Sequence, residues 1–340
     1  MATLKDISRK AGLSVTQVSR ALNGHSDVNA ETRDHVLKVA KSLNYRPNIS
    51  ARKLVSGRSG MVALVSPQSR GLSSDTTFIE TVTGLSAQFS SRSMQFVLHV
   101  PTEGDDSIEV YGRLIDSGSL DGFVIIEPEV EDARIQYLTK RDVPFVVHGS
   151  TRGSETFPYF DIDNYGVCYK LTRHLIEHGH RNIGFINGRS EFSYSAARLR
   201  GFTDALSEVG VAPQEHLIRH GRMSESLGMI STVQMFSGEM AKPTAIVCGN
   251  ILIANGVYSS ASALGLTIPS DLSVVAHDDV LAQYRASAFY PALTVTRSPL
   301  KDSWGPLADF LSQHIDEKPL ENLQRIAEFE FVDRASVAKV

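Results

Sequence analysis

Apolar residues recur at helical spacing near the start of the chain and cluster into short dense runs after residue 60. Leu4, Ile7 and Ala11 share one face of a predicted helix, and Val18, Ala21 and Leu22 one face of a second. Thr3 followed three residues later by Asp6 is a capping pattern, and an acidic side chain suits the positive start of a helix. Gly12 supplies the break, since glycine adopts a left-handed backbone easily. Ser14 is placed to cap the second helix. Asn29 caps a third, whose apolar positions are Val36, Val39, Ala40 and Leu43; Asn44 ends it and Pro47 stops it. Further on, strands are predicted at 61–65, 94–100, 122–126 and 144–148, then at 182–186, 244–248, 272–277 and 293–296. Continuous β-branched runs of this kind suit parallel strands buried on both faces, with helices such as 164–178 and 300–315 covering them. Two such series in succession predict an all-α headpiece followed by an α/β body of two doubly wound parallel-sheet lobes.

The second helix leaves Thr16, Gln17, Ser19 and Arg20 outside its apolar stripe. A short polar helix on a compact scaffold is what the DNA major groove admits; the same pattern also fits a small helical hairpin with a solvated face. Charge separates the modules. Residues 1–60 hold 11 Lys and Arg against 4 Asp and Glu, whereas the remaining residues hold 23 against 34, a split hidden by the overall −4. A basic start on an acidic body points to a nucleic-acid-binding module. At 340 residues and 42% hydrophobic content the chain builds a substantial core. No run reaches the length of a membrane span and no secretory signal pattern opens the chain, so a cytoplasmic location is expected. Cys168 and Cys248 lie in apolar segments and are expected to pack as small hydrophobes.

AGLSVTQVSRALN, then ETRDHVLKVAKSLNYRPN, then ARKL, in this order and spacing, resemble the headpiece of the lac-repressor (LacI/GalR) family of bacterial transcription regulators. The resemblance implies a DNA-binding headpiece at 1–48, with base reading by Val15, Thr16 and Arg20 and further DNA contacts from Thr3, Ser14, Gln17, Ser19, Asn23 and Asn48. It implies a hinge helix and linker at 49–60, in which Ala51 and Leu54 meet the minor groove and Leu54 wedges into it. Residues 61–340 then resemble the family's effector and dimerisation domain, of the periplasmic sugar-binding fold. Its two lobes are expected at 61–160 with 290–320, and at 161–289 with 321–340.

In open α/β lobes ligands bind beyond the carboxyl ends of the strands. By the resemblance, Arg198 of SAARLRGF grips the effector, while Asn250 and Asp278 follow two strand ends, and Met223 and Phe78 match pocket-wall positions. Arginine and carboxylate together hold hydroxyls as donor and acceptor, which suits a sugar. Three departures stand out: Asn250-Ile251 replaces an Asn-Asp pair, Gly149-Ser150 replaces an Asp-Arg pair, and Ala276-His277-Asp278-Asp279 replaces a Gly-[FY]-Asp-Asp motif. The segments VPFVVHG and ALTVTRSPLKDSW resemble the alpha-glucoside type within the family.

His174 and His178 share a helical face, with His180 beyond, but no third metal ligand is evident from spacing, and no metal or other cofactor is expected. No paired general acid and base and no Walker pattern support an enzyme. A sugar-binding transport receptor would share the body fold without explaining residues 1–55. The expected function is a dimeric repressor of sugar-uptake or sugar-use genes. It reads a near-palindromic double-stranded operator and is controlled by a small-molecule effector, a sugar, without membrane association.

Overall fold

The computed structural model describes residues 2–22, 25, 27–45, 58–66, 76–151 and 156–340, and the chain divides into two compact units, Met1–Ser59 and Gly60–Val340. In the first unit lie α1 (Leu4–Ala11), α2 (Val15–Leu22) and α3 (Ala30–Ser42). Each start is capped as the sequence predicts. The Thr3 N–H donates to the Asp6 carboxylate at 2.9 Å while the Asp6 N–H returns to Thr3 Oγ1 at 3.4 Å. Ser14 and Gln17 form a second reciprocal cap, with bonds of 3.0 and 3.1 Å, and Asn29 Oδ1 accepts the Thr32 N–H at 2.7 Å. Gly12 ends α1 with φ 68°. Ile7, Val18 and Val36 are fully buried, with Ala21, Val39 and Ala40 around them. At about 1.5–3 kcal/mol for each large aliphatic side chain, this is a thin core that relies on its caps.

The second unit contains two six-stranded sheets among the described residues. The first lobe is built from β1 (Met61–Val65), α4 (Thr76–Ser91), β2 (Gln95–His99), α5 (Ser107–Asp116), β3 (Gly122–Ile126), α6 (Ala133–Lys140), β4 (Phe145–His148) and β5 (Tyr159–Ile162). The chain then crosses to the second lobe, where α7 (Asn164–Glu177), β6 (Ile183–Asn187), α8 (Ser193–Ser207) and β7 (Ile218–His220) come first. There follow α9 (Glu225–Ser237), β8 (Ala245–Cys248), α10 (Ile251–Ala263), β9 (Ser273–Asp278) and β10 (Thr294–Arg297). Then α11 (Trp304–Ile315) and β11 (Gln324–Ala327) return to the first lobe, and β12 (Glu330–Val332) closes the second sheet. The sheet orders are β11-β5-β4-β3-β1-β2 and β12-β10-β9-β8-β6-β7. Pairing is parallel throughout except between β12 and β10.

All eight predicted strands form, within a residue or two of their expected ends. Two expectations need correction. The lobes do not exchange at residues 290 and 321. Strand β10 extends the second sheet beside β9, with Val295 opposite Ala276, and β11 pairs with β5 in the first, with Ile326 opposite Asp161. The returns therefore fall between 297 and 304 and between 327 and 330. Strand β2 is not buried on both faces: it is the edge of its sheet, with Leu98 exposed. Helices α9 and α10 approach so closely that a Cβ on Gly256 would overlap the Glu225 carbonyl oxygen, and one on Gly228 the Ile253 carbonyl. Cys168 and Cys248 are free thiols, fully buried in the second lobe's core, and burial pushes the Cys168 thiol up to about 12. No described helix is long and apolar enough to cross a membrane.

Candidate functional site

The strand order of each sheet reverses direction, at β1/β3 in the first and β6/β8 in the second. Ligands favour the crevice at such points. Segments that follow β3, β4, β5, β6, β7, β8, β9 and β10 line one cleft between the lobes, with about 1400 Å³ of empty volume, its open mouth included. Beside it the lobes touch directly. Ser193 N–H donates to the Pro128 carbonyl at 2.9 Å, Val130 N–H to the Glu191 carbonyl at 3.2 Å, and Ala282 N–H to Glu80 Oε1 at 2.9 Å.

Arg198 projects from α8 and is only 4% exposed. Its Nε donates to Asn164 Oδ1 at 2.8 Å and its Nη1 to the Gly249 carbonyl at 2.6 Å, and its guanidinium lies 5.4 Å from the centre of the Tyr194 ring. Asn164, at the start of α7, passes the bond on: its Nδ2 donates to Asp161 Oδ1 at 2.9 Å. Burial pushes the Asp161 carboxyl up to about 6, against the hydrogen bonds from Ser150 and the Ile162 N–H and the charge of Arg198. On the opposite wall burial also opposes charge on Asp279. There the nearby His277, whose Nε2 is 3.4 Å away, and the charge of Arg198 prevail, holding this carboxyl below its ordinary value. Burial lowers the His148 imidazole to about 4 in spite of Asp279. Phe78, Phe160, Phe192, Tyr194 and Met223 complete the walls. The arrangement presents fixed donors and acceptors beside apolar and aromatic faces, a setting suited to a polar organic molecule.

In the first unit α2 presents Val15, Thr16, Gln17 and Arg20 as exposed residues, while Val18 and Ala21 face the core. Arg20 Nη2 forms an ion pair with Asp27 at 2.7 Å, both side chains about half exposed.

Comparison with known proteins explains both parts. Residues 3–48 match the model of bacterial regulatory proteins of the lacI family, and residues 172–337 that of the periplasmic binding protein-like domain. The HTH-type transcriptional regulator AglR of Rhizobium meliloti (strain 1021) is 38% identical over 306 residues, covering 90% of this chain and 85% of that one. This chain belongs to the LacI family. Among its LacI-family relatives, the HTH-type transcriptional repressor PurR of Klebsiella pneumoniae (strain 342) is 30% identical over 341 residues, covering 99% of this chain and 97% of the relative. The solved complex of the transcriptional regulator CelR with cellobiose superimposes with a TM-score of 0.71 at 27% identity, covering 99% of this chain and all of the other. As a LacI-family member the chain is a DNA-binding transcriptional regulator and not an enzyme.

Of the five effector residues expected, Arg198, Asn250, Met223 and Phe78 line the cleft. Asn250 also caps α10, its Oδ1 accepting the Ile253 N–H at 3.0 Å. Asp278 is a correction: it does not line the cleft. It is buried at the end of β9, where its carboxylate accepts the Val280 N–H at 2.8 Å, and Asp279 takes the cleft position instead. The turn after β9 decides which of two adjacent carboxylates faces the ligand, and a strand pattern alone does not. Sequence reasoning missed Asp161 and Asn164, because the strand YFDI is only four residues long and its apolar run is interrupted by the aspartate itself. Thr3, Ser14 and Gln17 are engaged in helix caps, and Ser19 is partly buried on α2. Asn23, Asn48, Ala51 and Leu54 lie outside the described residues. The histidines weighed as metal ligands are engaged elsewhere: His180 bonds Thr244 Oγ1 at 2.9 Å and the Ala338 carbonyl at 3.1 Å, and His174 lies 3.3 Å from Asp333. No described group of three His, Cys, Asp or Glu could hold a metal ion.

Proposed function

We propose that this regulator is a cytoplasmic, dimeric repressor of genes for sugar uptake or use, and that its effector is a neutral saccharide bound in the interlobe cleft. One observation carries the ligand reading: a buried arginine and the carboxylates Asp161 and Asp279 stand on a cleft that also carries the aromatic side chains of Phe78, Phe160, Phe192 and Tyr194. Sugars offer hydroxyls that both donate and accept, and apolar ring faces that stack on aromatic side chains. The cellobiose carried by the CelR complex is of the same chemistry.

On DNA, Val15, Thr16 and Arg20 read base edges, supported by Ser14, Gln17, Ser19, Thr3, Asn23 and Asn48, and Ala51 and Leu54 contact the minor groove. Exposed apolar side chains of both lobes, among them Leu98 on the edge strand and Ile230 on α9, supply surface for the partner subunit. A ligand that prefers one arrangement of the lobes shifts the population toward it, and so the separation of the two headpieces. The test is binding of the full-length protein to the DNA upstream of its own gene, titrated with saccharides and, in a parallel arm, with a purine base. A shift by a saccharide is expected. Response to the purine alone, or no specific DNA binding, would overturn this reading.

A further inference from the structure

Strand β4 is followed by Gly149, which has φ +120° and whose Cβ, if present, would stand 2.8 Å from Pro128 Cγ. No side chain fits there, so the end of this strand offers the ligand no carboxylate. The neighbouring strand compensates. His148 pairs with Phe160, and the Gly149 N–H bonds the Phe160 carbonyl at 2.8 Å, which brings Asp161 beside the vacant position. Its carboxylate lines the cleft. Ser150 Oγ donates to Oδ2 at 2.6 Å, while the Ile162 N–H and Asn164 Nδ2 donate to Oδ1 at 2.8 and 2.9 Å. The Ser150 N–H also bears on this carboxylate, so Ser150, Ile162 and Asn164 together fix its orientation on the cleft wall. No ion pair neutralises Asp161 among the described residues.

Helix capping does not account for this carboxylate. The cap of α7 is Asp163, which accepts the Gly166 N–H at 2.8 Å. A buried carboxylate without a cation partner is costly unless a further donor reaches it. The other end of the Asn164 amide accepts from Arg198 Nε, Nη1 of that guanidinium is tied to the Gly249 carbonyl, and Nη2 has no hydrogen-bond partner among the described residues. One amide therefore joins an oriented carboxylate on one side of it to a guanidinium with an open donor on the other, both on the cleft wall.

We propose that Asp161 and Arg198, positioned by Asn164, form an acceptor–donor pair for two neighbouring hydroxyls of the effector, with Asp161 the specificity-determining carboxylate of the first lobe. One hydroxyl donates to the Asp161 carboxylate and the next accepts from Arg198 Nη2. A pyranose carrying a free vicinal diol satisfies both, and a sugar lacking either hydroxyl leaves a buried polar group unpaired. The proposal rests on the saccharide reading of the cleft.

Calorimetric titration of the full-length protein with maltose, cellobiose, trehalose, sucrose and raffinose identifies the tightest of these five probes. That probe and its monodeoxy analogues are then titrated against the wild type, Asp161→Asn and Ser150→Ala, at a pH near 8. We expect Asp161→Asn to bind the probe 10–100-fold more weakly, in line with a hydrogen bond to a charged group. One monodeoxy analogue should lose at least tenfold against the wild type and nothing further against Asp161→Asn. Such cancellation reports a direct contact; a merely structural role would leave the two losses multiplying. Ser150→Ala leaves the carboxylate in place but loosens it, and should lose about threefold, which keeps the test open if Asp161→Asn does not fold. Wild-type affinity in Asp161→Asn, multiplying losses in the cycle, or an unaffected Ser150→Ala where Asp161→Asn fails to fold, would overturn the proposal while leaving the saccharide reading intact. If the wild type binds none of the five probes, the saccharide reading itself fails.

Discussion

Replacing Arg198 separates what the cleft binds from what holds its floor together. The guanidinium is 4% exposed and donates to Asn164 Oδ1 at 2.8 Å and to the Gly249 carbonyl at 2.6 Å. Arg198→Ala strands both acceptors. Hydrogen bonds from a charged donor contribute about 1.5–3 kcal/mol each, and the low end applies beside a cavity that water can enter, so the expected loss of stability is about 3 kcal/mol. Arg198→Lys keeps the charge, but its single ammonium reaches one acceptor at a time, and should cost about half as much, roughly 1.5 kcal/mol. Both variants lose the forked donor geometry, so both should lose the response to effector while the headpiece still binds operator. Urea unfolding followed by far-UV circular dichroism measures the first effect, and effector titration of the operator complex the second. If Arg198→Ala unfolds at the wild-type urea concentration, these bonds do not brace the cleft. A normal effector response in either variant places the ligand away from Arg198.

Three further outcomes are expected. Arg20→Ala should cost about 1–3 kcal/mol per half-site and relax specificity at one base pair, whereas Asp27→Asn frees Arg20 from an exposed ion pair and should raise operator affinity by no more than about fivefold. Mobility shifts on operator and random DNA check both, and equal losses on the two DNAs would reduce Arg20 to a phosphate contact. Gly256→Ala forces a methyl group into the Glu225 carbonyl between α9 and α10 and should destabilise the body by about 3 kcal/mol or more, read as a lower thermal midpoint; an unchanged midpoint refutes the close packing. Asp161 is raised from 3.8 to about 6, so the native state holds a proton that the unfolded chain has released, and its contribution to stability falls as pH rises through that window. His148, lowered from 6.5 to about 4, works in the opposite sense, its contribution rising with pH over that range. Asp161→Asn removes only the first effect and should gain about 2 kcal/mol on the wild type between about pH 4 and pH 7 in urea unfolding; a difference that does not vary with pH would show that Asp161 is not raised.

The sequence by itself determined the helices of the headpiece, their caps and their core, and the eight apolar strands. Each of these rests on neighbours within a few residues, so Thr3 with Asp6, the Ser14 cap and the stripe of Val18 and Ala21 were legible from spacing alone. The motif around Arg198 likewise placed an arginine in the cleft. Tertiary structure decided the rest. Strand β5, with Asp161 at its centre, exists because β4 and β11 supply its hydrogen bonds, and β11 arrives from more than 150 residues further along. Whether Asp278 or Asp279 faces the ligand depends on the turn after β9, where the Val280 N–H captures the first carboxylate. The crossings between lobes follow from which edge is open to β10, β11 and β12, and the Arg20–Asp27 pair joins residues on either side of a loop. A periodic pattern reports which face of an element is buried; it carries no information about which distant element covers that face, and it is there that the cleft is made.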